Sequence, residues 1–198
     1  AITSIFMTNH DQDRAAESLG KSAAKEKQAA AMMLTCPGKP FIYQGEELGY
    51  YGTKTNGDEY VRTPILWDKA GNDCAKKGVD NKVDNSMLKA SISVEAQDAD
   101  SGSLLNVYRE FSRLRNTYPA LAEGEMTNAN LSGSSFASWH MTSSDGQKLL
   151  VIHNVASSAK TTTVSDDMSK PVALLGTASY EGSNLTLGPN SSVVFQLK

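Results

Sequence analysis

The chain has 198 residues, 39% of them hydrophobic and 21% charged, with a formal net charge of -3. That composition fits a globular protein with room for one ordinary domain and a smaller second one. A mildly acidic balance offers no bulk charge to steer nucleic acid, and no apolar run approaches the roughly 20 residues that span a bilayer.

The first stretch, Ile2–Met7, is apolar and β-branched with Thr and Ser interspersed, the texture of a short buried strand. It runs directly into a polar cluster, Asn9-His10-Asp11-Gln12-Asp13-Arg14. Ser22–Thr35 follows with good helix formers and an apolar surface at Ala23, Ala24, Ala31, Met32 and Leu34. Pro37-Gly38 breaks that helix. Phe41–Tyr43 predicts a second short strand, followed at once by the polar run Gln44-Gly45-Glu46-Glu47-Leu48-Gly49. Residues 53–98 are long, polar and weakly patterned, and a loop of that length is usually functional. Leu104, Leu105, Val107, Tyr108, Phe111 and Leu114 then mark a strong amphipathic helix, with Ser101 or Ser103 as its cap and Pro119 just past its end.

After Leu121 the texture changes. Phe136–Met141, Leu149–Asn154, Thr161–Val164, Val172–Leu175, Leu185–Leu187 and Val193–Leu197 are short and β-branched, separated by Ser, Gly, Asn and Asp. Ser143-Ser144-Asp145-Gly146-Gln147 is a hairpin signal. These segments predict an antiparallel β-sandwich over residues 122–198. Residues 1–121 hold only two strand–helix units. An all-parallel sheet needs both faces covered and more strands than that. The first half therefore reads as the last two βα units of a (β/α)8 barrel, and such barrels carry their chemistry at the carboxyl ends of the strands.

The two cysteines, Cys36 and Cys74, have neither CxxC spacing nor a nearby His pair, so they do not read as a zinc site, and two free thiols are favoured over a disulfide. Nothing at Ala1 resembles a signal peptide, which fits a mature product, a cytoplasmic protein or a piece of something longer.

On bare chemistry, Asn9-His10-Asp11 admits two readings. A carboxylate beside an imidazole at a strand end can stabilise a cation or orient a polar ligand. The same triplet can instead cap a helix N-terminus. Several motifs in order favour the first. Phe6-Met7-Thr8-Asn9-His10-Asp11 resembles the fourth conserved motif of the α-amylase superfamily of glycoside hydrolases, where a strand ends in Asn-His-Asp. Residues 37–49 are similar to that family's eighth strand. Arg62-Thr63-Pro64-Ile65-Leu66-Trp67-Asp68 resembles the matching segment of its oligo-glucosidase and neopullulanase branches. Residues 103–121 resemble its last barrel helix, and the β-module its C-terminal domain. Residues 50–71 further resemble the cell-surface α-amylases of Bacteroides starch-utilisation systems.

The resemblance implies a retaining enzyme that hydrolyses α-1,4-glucosidic bonds of starch and maltooligosaccharides with a carboxylate nucleophile and a carboxylic acid/base. In the family both lie on the fourth and fifth barrel strands, upstream of residue 1. This chain then begins at the seventh strand and is inactive without the remaining barrel segment. By motif match Asp11 is the carboxylate that stabilises the oxocarbenium-like transition state, while His10 and Arg62 bind sugar. No cofactor is implied in this segment, and any Ca2+ site is placed upstream. An extracellular or outer-membrane location is implied by resemblance only. Two alternatives stay open: an α-1,6-acting or transglycosylating relative, and a non-catalytic glucan-binding module.

Other residues read more modestly. Arg14 occupies a position where the family often has Pro-Arg, but Asp13 replaces the Pro, so Arg14 is not counted as catalytic. Trp67 reads as packing against the barrel rather than stacking on sugar. Tyr50 and Tyr51 are candidate stacking residues. Glu46 and Glu47, adjacent at a strand end, point different ways and so read as loop supports rather than an acid/base pair. Asp58, Glu59 and Asp68 are candidate partners of Arg62. His140 and His153 read as structural, and Met32, Met33 and Met87 as packing.

Overall fold

The computed structural model of the chain describes residues 3–71 and 88–197. Cys74 and Met87 lie outside the described residues. The elements in chain order are β1 (Ser4–Phe6), α1 (Ala15–Ser18), α2 (Ala23–Thr35), β2 (Lys39–Phe41), α3 (Val94–Asp98), α4 (Leu104–Thr117), α5 (Pro119–Glu123) and then eight strands. These are β3 (Glu125–Asn128), β4 (Phe136–Thr142), β5 (Lys148–Asn154), β6 (Lys160–Thr163), β7 (Pro171–Leu175), β8 (Ala178–Glu181), β9 (Asn184–Leu187) and β10 (Ser191–Gln196). No helix among the described residues is long and apolar enough to cross a membrane.

The chain divides into two compact units. One contains Ala1–Ser4, Lys27–Lys39 and Glu110–Lys198; the other contains Ile5–Glu26 and Pro40–Arg109.

In the first unit the strands form two antiparallel sheets, ordered β3-β4-β5-β10-β7 and β6-β9-β8. Strand alternation dictates how they stack. Leu150, Ile152, Val193 and Phe195 of the larger sheet meet Leu185 and Leu187 of the smaller, with Val164 and Met168 closing the core. This is the antiparallel sandwich that the sequence predicts. β5 is buried on both faces. Its second face is tied to α2 by polar contacts: His153 Nε2 lies 3.3 Å from Thr35 Oγ1, and the neighbouring Trp139 Nε1 donates to the Thr35 carbonyl at 3.2 Å. Gln28 of the same helix donates to the Asn154 carbonyl at 2.7 Å.

The sequence pattern misses two strands, β3 and β8. Both are edge strands, and their residues are almost entirely exposed. An edge strand solvated on its outer side need not alternate apolar and polar residues, so periodicity does not reveal it. The expected strand Phe41–Tyr43 forms two residues earlier, as β2, because Tyr43 and Gln44 belong to the turn that follows.

In the second unit, Leu48, Tyr50 and Leu105 are buried together, with Tyr51, Ile65, Leu88, Ile92 and Val94 packed against them. The polar stretch after β2 is organised by short 3-10 turns at Glu46–Leu48, Lys54–Asn56, Asp58–Tyr60 and Ala90–Ile92. Gly45 makes the first of these turns accessible. It sits at φ 84°, and a Cβ there would meet the Tyr50 ring at 2.5 Å.

Candidate active site

The candidate site lies in the second unit and is built from two loops, one after β1 and one after β2. In the first, a local turn presents the polar triplet. The Asn9 side-chain oxygen accepts the Asp11 N–H at 2.9 Å, and the Asn9 carbonyl accepts the Gln12 N–H at 3.3 Å. Thr8 is buried and donates to the Asp13 carbonyl at 2.6 Å, anchoring the base of the turn. The result is that His10 and Asp11 project outward, each with a side chain 61% exposed. Asp11 does not cap a helix. The residue at the cap of α1 is Arg14, which makes no side-chain cap bond.

Sequence-distant groups converge on the Asp11 carboxylate. Arg62 Nη2 donates to Oδ1 at 3.0 Å and Lys54 Nζ lies 3.5 Å from the same oxygen. His10 Nε2 lies 3.1 Å from Oδ2. The Arg62 guanidinium also donates through Nε to the His10 carbonyl at 3.2 Å, and pairs through Nη1 with Asp58 Oδ2 at 2.8 Å. Asp58 in turn bonds Lys54. A hydrogen bond from the Lys54 ammonium, reinforced by the charge of Arg62, holds the Asp58 carboxyl below the usual aspartate range. Two cations and two carboxylates thus form a closed, exposed network. The three residues singled out from sequence, Asp11, His10 and Arg62, are together in it. Lys54 is a member that sequence reasoning missed. Among Asp58, Glu59 and Asp68, Asp58 is a partner of Arg62.

The second loop is positioned from beneath. Tyr43 donates to the Val61 carbonyl at 3.1 Å and Gln44 Nε2 to the Thr63 carbonyl at 3.1 Å. Tyr50 is 1% exposed, and its hydroxyl accepts from the Leu66 N–H at 2.8 Å while donating to the Pro64 carbonyl at 3.3 Å. Tyr50 is therefore a buried strut and not a stacking residue. Its ring is consumed by packing that the sequence did not reveal. Tyr51 is half-buried, with Lys21 Nζ 4.4 Å over its ring. Trp67 corrects the sequence reading in the opposite sense: it is 54% exposed, because Leu66 beside it takes the buried position.

Arg14 supports the whole arrangement. It is fully buried, donates to the Gln44 carbonyl through Nη1, and stacks 4.3 Å over the Tyr43 ring. Its backbone N–H donates to the Gly52 carbonyl at 3.0 Å. Burial pulls its guanidinium below the ordinary arginine range. Asp13, in place of the family's Pro, accepts the Lys54 N–H at 2.6 Å, so it contributes a link between the two loops that Pro could not.

Glu46 and Glu47 behave as loop supports. Glu46 is 5% exposed and accepts from the Tyr108 hydroxyl at 2.8 Å. Burial pushes its pKa up to about 7, against the opposing pull of the Tyr108 bond. Burial also raises Glu47. His140 pairs with Asp166 at 2.9 Å, and His153 is fully buried, as structural histidines are. Cys36 is a free thiol. Among the described residues no three His, Cys, Asp or Glu side chains gather to hold a metal ion.

Comparison with known proteins matches the alpha amylase catalytic domain family to residues 1–124 and the alpha-amylase SusG C-terminal domain family to residues 137–194. The chain is 46% identical to alpha-amylase SusG of Bacteroides thetaiotaomicron, across 99% of the chain and 29% of that protein. It is 29% identical to alpha-amylase 3 of Dictyoglomus thermophilum, across 98% of the chain and 38% of that protein. Among solved structures, the alpha-amylase from H. orenii superposes with a TM-score of 0.79 at 27% identity, over the whole chain and 40% of that structure. The chain thus spans well under half the length of these relatives.

Proposed function

The chain belongs to the alpha-amylase family of glycoside hydrolases, and from that premise we propose that it is part of a retaining enzyme that cleaves α-1,4-glucosidic bonds of starch and maltooligosaccharides. In this reading residues 1–121 are the last two βα units of the catalytic barrel, and residues 122–198 its C-terminal domain. The nucleophile and acid/base belong to the remaining barrel segment, outside these 198 residues, and any Ca2+ site with them. The protein works at the cell surface, where starch is met as polymer.

The observation that carries the proposal is the setting of Asp11. It is an exposed carboxylate on a hydrogen-bonded turn, held by Arg62 Nη2 at 3.0 Å and His10 Nε2 at 3.1 Å. A retaining glycosidase must stabilise positive charge that grows on the sugar as the glycosidic bond breaks. A carboxylate already oriented by neighbouring donors supplies that charge complement without reorganising at the moment of reaction. Interactions that strengthen as the ring flattens favour the transition state over the ground state. Asp11 plays that role, and His10 and Arg62 bind the hydroxyls of the same sugar while holding the carboxylate in place.

Reducing-sugar release from soluble starch tests this. The 198-residue chain alone is expected to release none, because a transition-state stabiliser without a nucleophile forms no glycosyl-enzyme intermediate. In the full-length enzyme, Asp11→Asn should lower kcat by roughly 10²–10³-fold with little change in KM. Full activity in that variant would overturn the assignment.

A further inference from the structure

We propose that Trp67 is a stacking platform for a glucose unit of an α-glucan chain whose reacting end lies at Asp11; the inference rests on the function proposed above. Three observations carry it. The indole is 54% exposed, although it follows a run of apolar residues and a neighbour, Leu66, that is 5% exposed. Its backbone is nevertheless fixed. The Trp67 carbonyl accepts the Glu95 N–H at 2.9 Å, the Leu66 carbonyl accepts the Val94 N–H at 2.9 Å, and the Leu66 N–H is held by the Tyr50 hydroxyl. An exposed aromatic ring on a pinned backbone loses little freedom when a ligand settles on it.

The surroundings choose the ligand class. Lys69 and Glu95 pair at 3.8 Å, both half or more exposed, and the Lys69 N–H donates to Glu95 Oε2 at 2.9 Å. Among the described residues of this segment, Ile65 is half-buried and Leu66 buried, so Trp67 is its exposed large apolar side chain, with charged Asp68 and Lys69 next in the chain. A protein partner asks for a contiguous apolar patch of several residues. A pyranose asks for one flat apolar face, with polar groups at its rim to meet the hydroxyls. The position along the chain selects the glucan. Trp67 follows Arg62 by five residues, a stretch that reaches at most about 18 Å. Thr63 and Leu66 within it are buried, so the spacing is set by the fold. An oligosaccharide bound by Arg62 and Asp11 needs only a few units to span a separation of that size.

The test uses the full-length enzyme with maltoheptaose and maltotriose as probes. Trp67→Ala should lower the ratio of kcat/KM for the long to that for the short substrate by roughly three- to tenfold, the range expected for one aromatic stacking contact. The change should appear in KM, and Trp67→Tyr should restore most of it. Maltoheptaose should also shift the tryptophan emission of the wild type in a way that is missing from Trp67→Phe. An unchanged ratio together with an emission response that persists in Trp67→Phe would overturn the platform. A wild type that cleaves no α-glucan, or an Asp11→Asn variant with full activity, would instead remove the function proposed above and this inference with it.

Discussion

Arg62 reaches across 51 positions of sequence to place Nη2 3.0 Å from Asp11 Oδ1, and its Nε bonds the carbonyl of the residue before, His10. One guanidinium therefore fixes both the side chain and the backbone of the Asn9-His10-Asp11 turn. The fork geometry of arginine is what permits this, since a point-like ammonium cannot hold a carboxylate and a carbonyl in set directions at once. Asp58 holds the third corner of the guanidinium at 2.8 Å.

Arg62→Lys is accordingly not conservative. We expect the full-length enzyme to lose roughly tenfold or more in kcat/KM on maltooligosaccharides with Arg62→Lys, and more with Arg62→Met. The network is exposed and screened by salt, so its contribution to folding is small. Thermal midpoints of both variants should stay close to the wild type while activity falls. A midpoint that fell in step with activity would assign Arg62 to the scaffold.

Much of this was legible in the sequence, for identifiable reasons. The core strands β5 and β10 are buried along almost their whole length and β9 buries Leu185 and Leu187, so their apolar runs show, whereas the edges β3 and β8 are largely solvated. Asp11, His10 and Arg62 are marked by motifs that resemble those of the family, since their spacing alone fits a helix cap as well. Lys54 is not so marked, since its link to Asp11 crosses 43 positions with no local signature. The missing Pro argues against Arg14 on local grounds, but what fixes it is tertiary: the Gln44 carbonyl and the Tyr43 ring, supplied by another loop. Trp67 shows the same limit. An apolar run says that some of its residues bury, and only the turn of the backbone decides that Leu66 goes in and Trp67 out.

Glu46 gives stability a pH dependence of defined sign. Its folded pKa of about 7 lies above the ordinary glutamate value near 4.5, so the folded state binds the proton more tightly. Its favourable contribution is complete below about pH 4.5 and is lost as the pH rises toward 7. The shift corresponds to on the order of 3 kcal/mol across that window. Glu46→Gln keeps an acceptor for the Tyr108 hydroxyl and cannot ionise. We expect unfolding measurements from pH 5 to pH 8 to show the variant gaining on the wild type as the pH rises. A constant difference between the two across that range would mean that Glu46 does not titrate in the folded protein.

His153 acts in the opposite direction. It is fully buried, with Nδ1 2.7 Å from Ser192 Oγ and the Trp139 ring 5.0 Å away, and burial alone drops its pKa to about 3. Thr35 Oγ1 donates to the Ala31 carbonyl at 2.7 Å, so toward His153 it accepts, which assigns the ring proton to Nε2. A neutral folded His with an unfolded pKa near 6.5 contributes stability that is complete above about pH 6.5 and lost as the pH falls toward 3. Between pH 7 and pH 5 the loss is on the order of 2 kcal/mol. His153→Gln, which keeps a polar partner for both hydroxyls, should be less stable than the wild type at pH 7 and should close part of that gap at pH 5. Denaturant titrations at the two pH values measure it, and a gap that widened at pH 5 would contradict the assignment.

Arg115 closes the C-terminal end of α2. It is 7% exposed and donates to the carbonyls of Leu34 at 3.0 Å, Cys36 at 2.8 Å, Gly38, and Ala122 at 3.3 Å. The last carbonyls of a helix have no partner within it, and the negative end of the helix dipole favours a cation there. One side chain thus satisfies the end of α2 and the turn into β2 together. Arg115→Met preserves the apolar stem and removes every donor, leaving the buried Leu34 carbonyl and three partly buried ones without their guanidinium. We expect a loss of about 3 kcal/mol in urea unfolding. Arg115→Lys keeps the charge but not the fork, so it should recover only part of that loss. Equal stabilities for the lysine and methionine variants would mean that the carbonyls find water when the guanidinium is gone, and that packing of the stem is what Arg115 contributes.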